Sequence, residues 1–207
     1  LRRRLDRGDD GSREILRNFR ARAAATLVTS NLVTPDRLLG HALAGGMETR
    51  DIAVQAAARV ALDAARRTAW PEVLKIASRV EHLVHLGRAE DRLAIRLCNA
   101  RACRFTGGQD NREKAQRLYR AAMNSALDGV ALPEGFTLFS VVMGWCEVQF
   151  EEKDSTELLP LEEDCQAALD DPRLDLAARL IVRFYALLSR AVRTRQETIA
   201  DALVGMR

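Results

Sequence analysis

The sequence predicts an all-α protein, and three observations predict it. Ala, Leu, Arg and Glu, all good helix formers, dominate the 207 residues. Five prolines and twelve glycines are too few for a sandwich or barrel of many short strands. Apolar residues recur at spacings of three and four, and no window alternates cleanly with β-branched enrichment. Apolar residues at 47% and charged residues at 29% exclude wholesale disorder and fibrous repeats. A chain of this length can bury about 70% of its unfolded surface, so it needs no staples.

The elements follow in order. Ser12 is positioned to cap a first helix carrying Ile15, Leu16, Phe19, Ala23 and Leu27, ending near Ser30 and Asn31. Thr34 then offers an N-cap and Pro35 a first helical position, opening a short helix through Leu38, Leu39, Ala42 and Leu43 to a stop at Gly45-Gly46. Longer helices are expected over 51–67, which is Ala-rich, and over 71–86, from Pro71 to the stop at Gly87. The pairing repeats with 89–105, running to Gly107-Gly108, and 111–128, where Asp110 and Glu113 form a capping box and Gly129 ends the helix. Pro133 leads into 134–152, Pro160 sits in the first turn of 156–170 or restarts it, and a long helix over 174–194 precedes a short segment at 196–205.

The second helix of each pair repeats one pattern: a small or apolar residue, an apolar or aromatic residue four later, and a small or apolar one three further on. The sets are Val73, Ala77 and Val80; Ala115, Tyr119 and Ala122; and Leu161, Cys165 and Ala168. The second set, in Glu-Lys-Ala115-Gln-Arg-Leu-Tyr119-Arg-Ala-Ala122, resembles the second helix of a tetratricopeptide repeat. The third, Cys165-Gln-Ala-Ala168-Leu169-Asp-Asp-Pro172, resembles that helix with its closing proline, and Leu97 to Ala100 resembles the small-residue centre of a first helix. The periods are 42 residues from Ala77 to Tyr119 and 46 from Tyr119 to Cys165, against about 34 in the standard repeat. The paired Leu-Gly and the large aromatic of the standard first helix are absent. The resemblance covers 51–205 and implies an α-solenoid of stacked antiparallel helical hairpins, preceded over 1–50 by a basic segment and a short helical pair. Each hairpin is too small to cover both of its faces, so neighbours share one elongated core and leave a groove. Longer, degenerate units of this kind occur in sensor regions of large bacterial regulators and in other solenoids.

Charge is local. Residues 1–22 hold eight Arg against four acids, a net of +4 within a total of +3, so the remainder carries −1. Arg2, Arg3, Arg4 and Arg7 form a basic arm whose expected fate is a solvated terminus; a phosphate-backbone contact is the competing reading. The small total gives no expectation of nucleic-acid binding. The opening Leu1 fits a processed product or a piece of a longer regulator. No apolar run approaches the ~20 residues that span a bilayer, and the N-terminus has charges where a signal peptide needs apolar residues. The expected compartment is the cytoplasm, with no membrane partner.

No nucleophile elbow, phosphate loop, dinucleotide fingerprint or zinc-ligand spacing occurs in the chain. Cys98, Cys103, Cys146 and Cys165 form no CxxC pair; Cys98 and Cys103 lie about 140° apart on a helix, and buried free thiols are expected. His82 and His85 are three apart without a third ligand, and His41 suits a helix end, so neither a metal nor a cofactor is expected. The acids Glu151, Glu152, Asp154 and Glu157, with Glu162, Glu163 and Asp164, read as a solvated run, or as a rim selecting basic partners. The segment from Phe136 to Phe150 is apolar on nearly every side and is expected in the core, with Phe139, Met143 and Trp145 alternatively lining an aromatic groove or a dimer contact. Arg92, Arg96, Asn99 and Cys103 recur at spacings of three and four and read as a solvated polar face; in tetratricopeptide-like stacking they would instead face the concave side and offer a basic surface to a carboxylate or acidic peptide. The expectation is therefore a non-catalytic module that binds a peptide, helix or partner subunit, or self-associates. The alternative is a small-effector sensor domain of a larger regulator.

Overall fold

The computed structural model describes residues 10–29, 33–150 and 155–205, and among them the chain is all-helical. The basic arm of Arg2, Arg3, Arg4 and Arg7 and the acids Glu151, Glu152 and Asp154 lie outside the described residues. The chain divides into two compact units, Leu1–Ala102 and Cys103–Arg207. The division falls inside a helix, and the short N-terminal pair packs onto the helix that follows it.

In the first unit, α1 (Asp10–Leu27) precedes α2 (Pro35–Ala44), a 3-10 turn (Met47–Thr49), α3 (Arg50–Arg66), α4 (Trp70–Val80), a second 3-10 turn (Val84–Leu86) and most of α5 (Ala89–Thr106). α1 begins before Ser12, which sits inside its first turn. Pro35 starts α2 as expected, with Thr34 in extended conformation ahead of it. α3 is the centre of the unit and packs against α2 and α4. It buries Ala53, Ala56, Ala57, Ala58, Ala61 and Ala64 together with Val54 and Val60. Side chains this small let neighbouring helices come close.

The α2–α3 connection is built on one contact. Thr49 Oγ1 donates 2.7 Å to the Ala42 carbonyl in a buried position, and a Cβ on Gly45 would stand 2.6 Å from that hydroxyl and 2.9 Å from Ala21 Cα. α4 stops at Val80, six residues short of the expected end, and the chain turns so that Leu83 is buried. His82 and His85 consequently stand on a turn and a 3-10 segment, both exposed, and not on one helical face.

The second unit holds the end of α5, then α6 (Gln109–Leu127), α7 (Leu138–Phe150), α8 (Ser155–Leu169) and α9 (Leu176–Gly205). Gly108 replaces Asp110 at the N-cap of α6 with φ 86°, a conformation that costs glycine nothing. α7 starts four residues later than expected because Thr137 and Ser140 cap it reciprocally. Ser140 N–H donates 3.1 Å to Thr137 Oγ1 and Thr137 N–H donates 2.9 Å to Ser140 Oγ. α8 contains Pro160 within the helix. α9 is one continuous helix of 30 residues, about 45 Å long, because no Gly or Pro interrupts 176–204. Asp175 caps it, its Oδ1 accepting from Ala178 N–H at 2.7 Å.

α7 packs on α6 and α9, and α9 packs along α8. The repeated positions Val73, Ala77, Val80, Ala115, Tyr119, Ala122, Leu161 and Cys165 are all buried, while Ala168 is partly open. No described helix is long and apolar enough to cross a membrane.

Candidate functional site

Sequence patterning offers a candidate binding stripe on α5 and, as the alternative to a core role, an aromatic one on α7. On α5, Arg92 is half-buried and its Nη1 donates 3.3 Å to the His85 carbonyl, closing the turn before the helix. Arg96 is half-buried, but Asn99 is only 7% exposed and Cys103 is fully buried. The C-terminal half of that stripe therefore belongs to the interior and offers nothing to a ligand. On α7, Phe139 is exposed and Met143 is half-buried one turn on, whereas Trp145 is 1% exposed and belongs to the core. Arg92, Arg96 and Asn99 lie in the first unit, and Phe139, Met143 and Trp145 in the second.

Around Trp145 the second unit carries a polar network. Gln116 Nε2 on α6 donates to Gln149 Oε1, and Gln149 Nε2 donates 3.4 Å to Asp164 Oδ2 on α8. Arg120 pairs with the same carboxylate at 3.3 Å and places its guanidinium 5.8 Å from the centre of the Trp145 ring. Arg104 and Glu147 form a second, largely buried ion pair. These contacts tie α5, α6, α7 and α8 to one another and satisfy groups such as Gln149, which is 2% exposed.

The thiols are chemically quiet. All four described cysteines are free and buried. Burial pushes Cys98 up to about 12 and raises Cys103 as well. A hydrogen bond with Cys165, and then burial, raises Cys146. Thiols held in the neutral form are poor nucleophiles and poor metal ligands at neutral pH.

The surface that patterning did not single out is the groove between α8 and α9. It encloses about 680 Å³ between Glu163 and Gln166 on one wall and Leu176, Leu180, Arg183 and Leu187 on the other. Glu162 holds the two walls together, its carboxylate accepting from Arg190 Nε at 2.7 Å and from Arg193 Nη2 at 3.3 Å. The Arg190 bond holds the Glu162 carboxyl below its ordinary range, against the opposing effect of partial burial and with help from Arg193. Arg179, also in the lining, donates to the carbonyls of Leu174 and Asp171 at 3.0 and 3.1 Å. The outer margin is apolar and open: Leu176 is 75% exposed, Leu180 59%, Phe184 54% and Leu187 55%. The signal was present in the sequence as an apolar pattern on both sides of 176–188, which marks a helix with two faces to cover.

The α8–α9 connection has its own acid sensitivity. Asp171 accepts from Arg173 Nε and Nη2 at 3.0 and 2.7 Å and from the Arg173 N–H at 2.9 Å. Arg173 also reaches Asp128 beyond α6 at 2.6 Å. The guanidinium, and then the backbone N–H, lower Asp171 from 3.8 to about 2. A carboxyl whose folded value is depressed stabilises the fold above its unfolded value and loses that contribution as pH falls through the folded one. Thermal melts across that window should show the wild type losing stability from pH 3.8 to about 2. Asp171→Asn, which carries no charge to lose, should have lower stability at neutral pH and a shallower acid limb. An equally steep acid limb in the variant would remove Asp171 from this role.

Comparison of the chain with protein-family models, with curated proteins and with solved structures returns no match.

Proposed function

We propose that the chain is a non-catalytic, cytoplasmic interaction module whose tetratricopeptide-like helical hairpins hold out a groove for a polypeptide segment, a helix or a partner subunit. The observation that carries this reading is the α8–α9 groove with its open apolar margin of Leu176, Leu180, Phe184 and Leu187. Leaving these side chains 54–75% exposed forgoes the larger part of the roughly 1.5–3 kcal/mol that full burial of each would give. Contiguous patches of this kind mark interaction sites on soluble proteins. The burial of eight of the nine repeated positions supports hairpin packing through small side chains. The effector-sensor alternative gains no support from this surface, because the groove margin is open to solvent and its lining residues come from α8 and α9 and not from α7.

A photo-crosslinking amino acid placed at Leu180 tests the reading in the native host. Crosslinks from position 180 to a polypeptide, absent from the same probe at exposed Arg67 of the first unit, are the expected result. Position 180 capturing no polypeptide would overturn it.

A further inference from the structure

The exposed stripe of α9 lies opposite its buried Ala178, Val182 and Ser189, at spacings of four, four and three from Leu176 to Leu187. Beside it, on facing walls of the groove, stand Arg183 and Glu163, both exposed. Among the described residues neither is paired, although Glu162 next door is engaged twice. A wholly acidic helix entering the groove would satisfy Arg183 and meet Glu163 as a like charge; a wholly basic one would do the reverse. The groove asks for a partner with an apolar stripe and one charge of each sign. This same surface is such a partner.

We propose that the groove takes a second copy of this chain, α9 lying antiparallel on α9 about a two-fold axis that passes beside Arg183 and Phe184. The inference rests on the interaction reading and names its occupant. A two-fold interface requires a patch complementary to itself, each contact occurring twice. In this register Leu180 meets the partner's Leu187, and Leu176 meets the partner's Ala191, where a small side chain leaves room for it. Near the axis the two Arg183 side chains stand side by side, and each relieves that like-charge approach by turning toward the partner's Glu163. The four large side chains supply the apolar centre, and the charged groove walls supply the rim that a protein interface needs.

Sedimentation velocity of the full chain over a concentration series tests this. The wild type is expected to form a reversible dimer. Leu180→Glu combined with Leu187→Glu should sediment as a monomer, with its far-UV circular dichroism and melting transition retained because both positions are exposed. Arg183→Glu and Glu163→Arg should each weaken the dimer about tenfold, as oppositely charged contacts become like-charged ones. The double reversal should restore most of the loss. A wild type that stays monomeric to roughly 10⁻⁴ M, single reversals without effect, or a double reversal that fails to restore affinity would each overturn the proposal. A monomeric wild type whose position 180 still crosslinks to a different polypeptide would sink this inference and leave the interaction reading standing. No crosslinked polypeptide at all would sink both.

Discussion

Trp145→Ala should destabilise the second unit by about 3–5 kcal/mol, the range for truncating a large aromatic in a packed core. Trp145 is the largest of the fully buried side chains, and it sits on a 13-residue helix that also buries Val141, Val142, Cys146 and Val148. α7 is held between α6 and α9, and a helix so short has little stability apart from its packing. The substitution leaves a cavity that flanking helices can close only in part. Trp145→Phe should behave differently. The Trp145 Nε1 is buried without a hydrogen-bond partner, and an unsatisfied buried donor costs about 1–3 kcal/mol. Phe removes that donor while keeping most of the apolar volume, so its loss should stay below about 2 kcal/mol. Urea denaturation followed by far-UV circular dichroism measures both. If Trp145→Ala costs less than about 1 kcal/mol, the ring is not a core anchor, and the aromatic-groove role read from the sequence returns.

What was legible before the structure, and what was not, divides along physical lines. Helix ends set by local chemistry were readable: Pro35 opens α2, and Gly45-Gly46, Gly107-Gly108 and Gly129 lie where helices stop or start. The end of α4 was not. Residues 81–86 contain neither Gly nor Pro, and the chain leaves the helix where Leu83 turns into the core and Val54 fills the space at Gly87. That is a tertiary choice with no local marker. The break expected near 195 failed for the converse reason, since nothing there opposes continuation of α9. The exposure of candidate binding residues was harder to read, because hydrophobic pattern gives a helix a direction only when one side is polar. α7 is apolar on nearly every side, so its sequence could not tell Trp145, which is buried, from Phe139, which is exposed. Asn99 looked like part of a polar stripe with Arg92 and Arg96, yet α5 buries it among Leu97, Cys98 and Ala100. The apolar pattern on both sides of α9 was visible throughout; which side stays open is settled only by where α7 and α8 lie.

Close approach of α6 and α7 gives one substitution opposite signs at two helical glycines. Gly144 on α7 faces Tyr119, the central position of the second repeated set. A Cβ there would lie 2.6 Å from Tyr119 Cζ, 2.7 Å from Cε1 and 2.9 Å from the hydroxyl oxygen. Tyr119 is 4% exposed, so its ring has no open space to swing into. Alanine gains about 1 kcal/mol over glycine in a helix interior, but the overpacking opposes this with a cost of about 1–3 kcal/mol that can rise further when the obstructing group is a fixed ring. Gly144→Ala should therefore be net destabilising, and Gly144→Val severely so. Gly40 in α2 is exposed and would meet nothing within 4 Å, so Gly40→Ala should stabilise by up to about 1 kcal/mol. Tyr119→Leu shortens the obstructing side chain. Combined with Gly144→Ala, it should show a coupling of at least about 1 kcal/mol relative to the two single changes, because the second substitution removes the clash the first creates. Denaturation midpoints of these variants and the wild type decide the matter. Additive effects at 119 and 144, or a stabilising Gly144→Ala, would mean that α6 and α7 are not in contact through this pair and that the small residue at the crossing is incidental to how the hairpin packs.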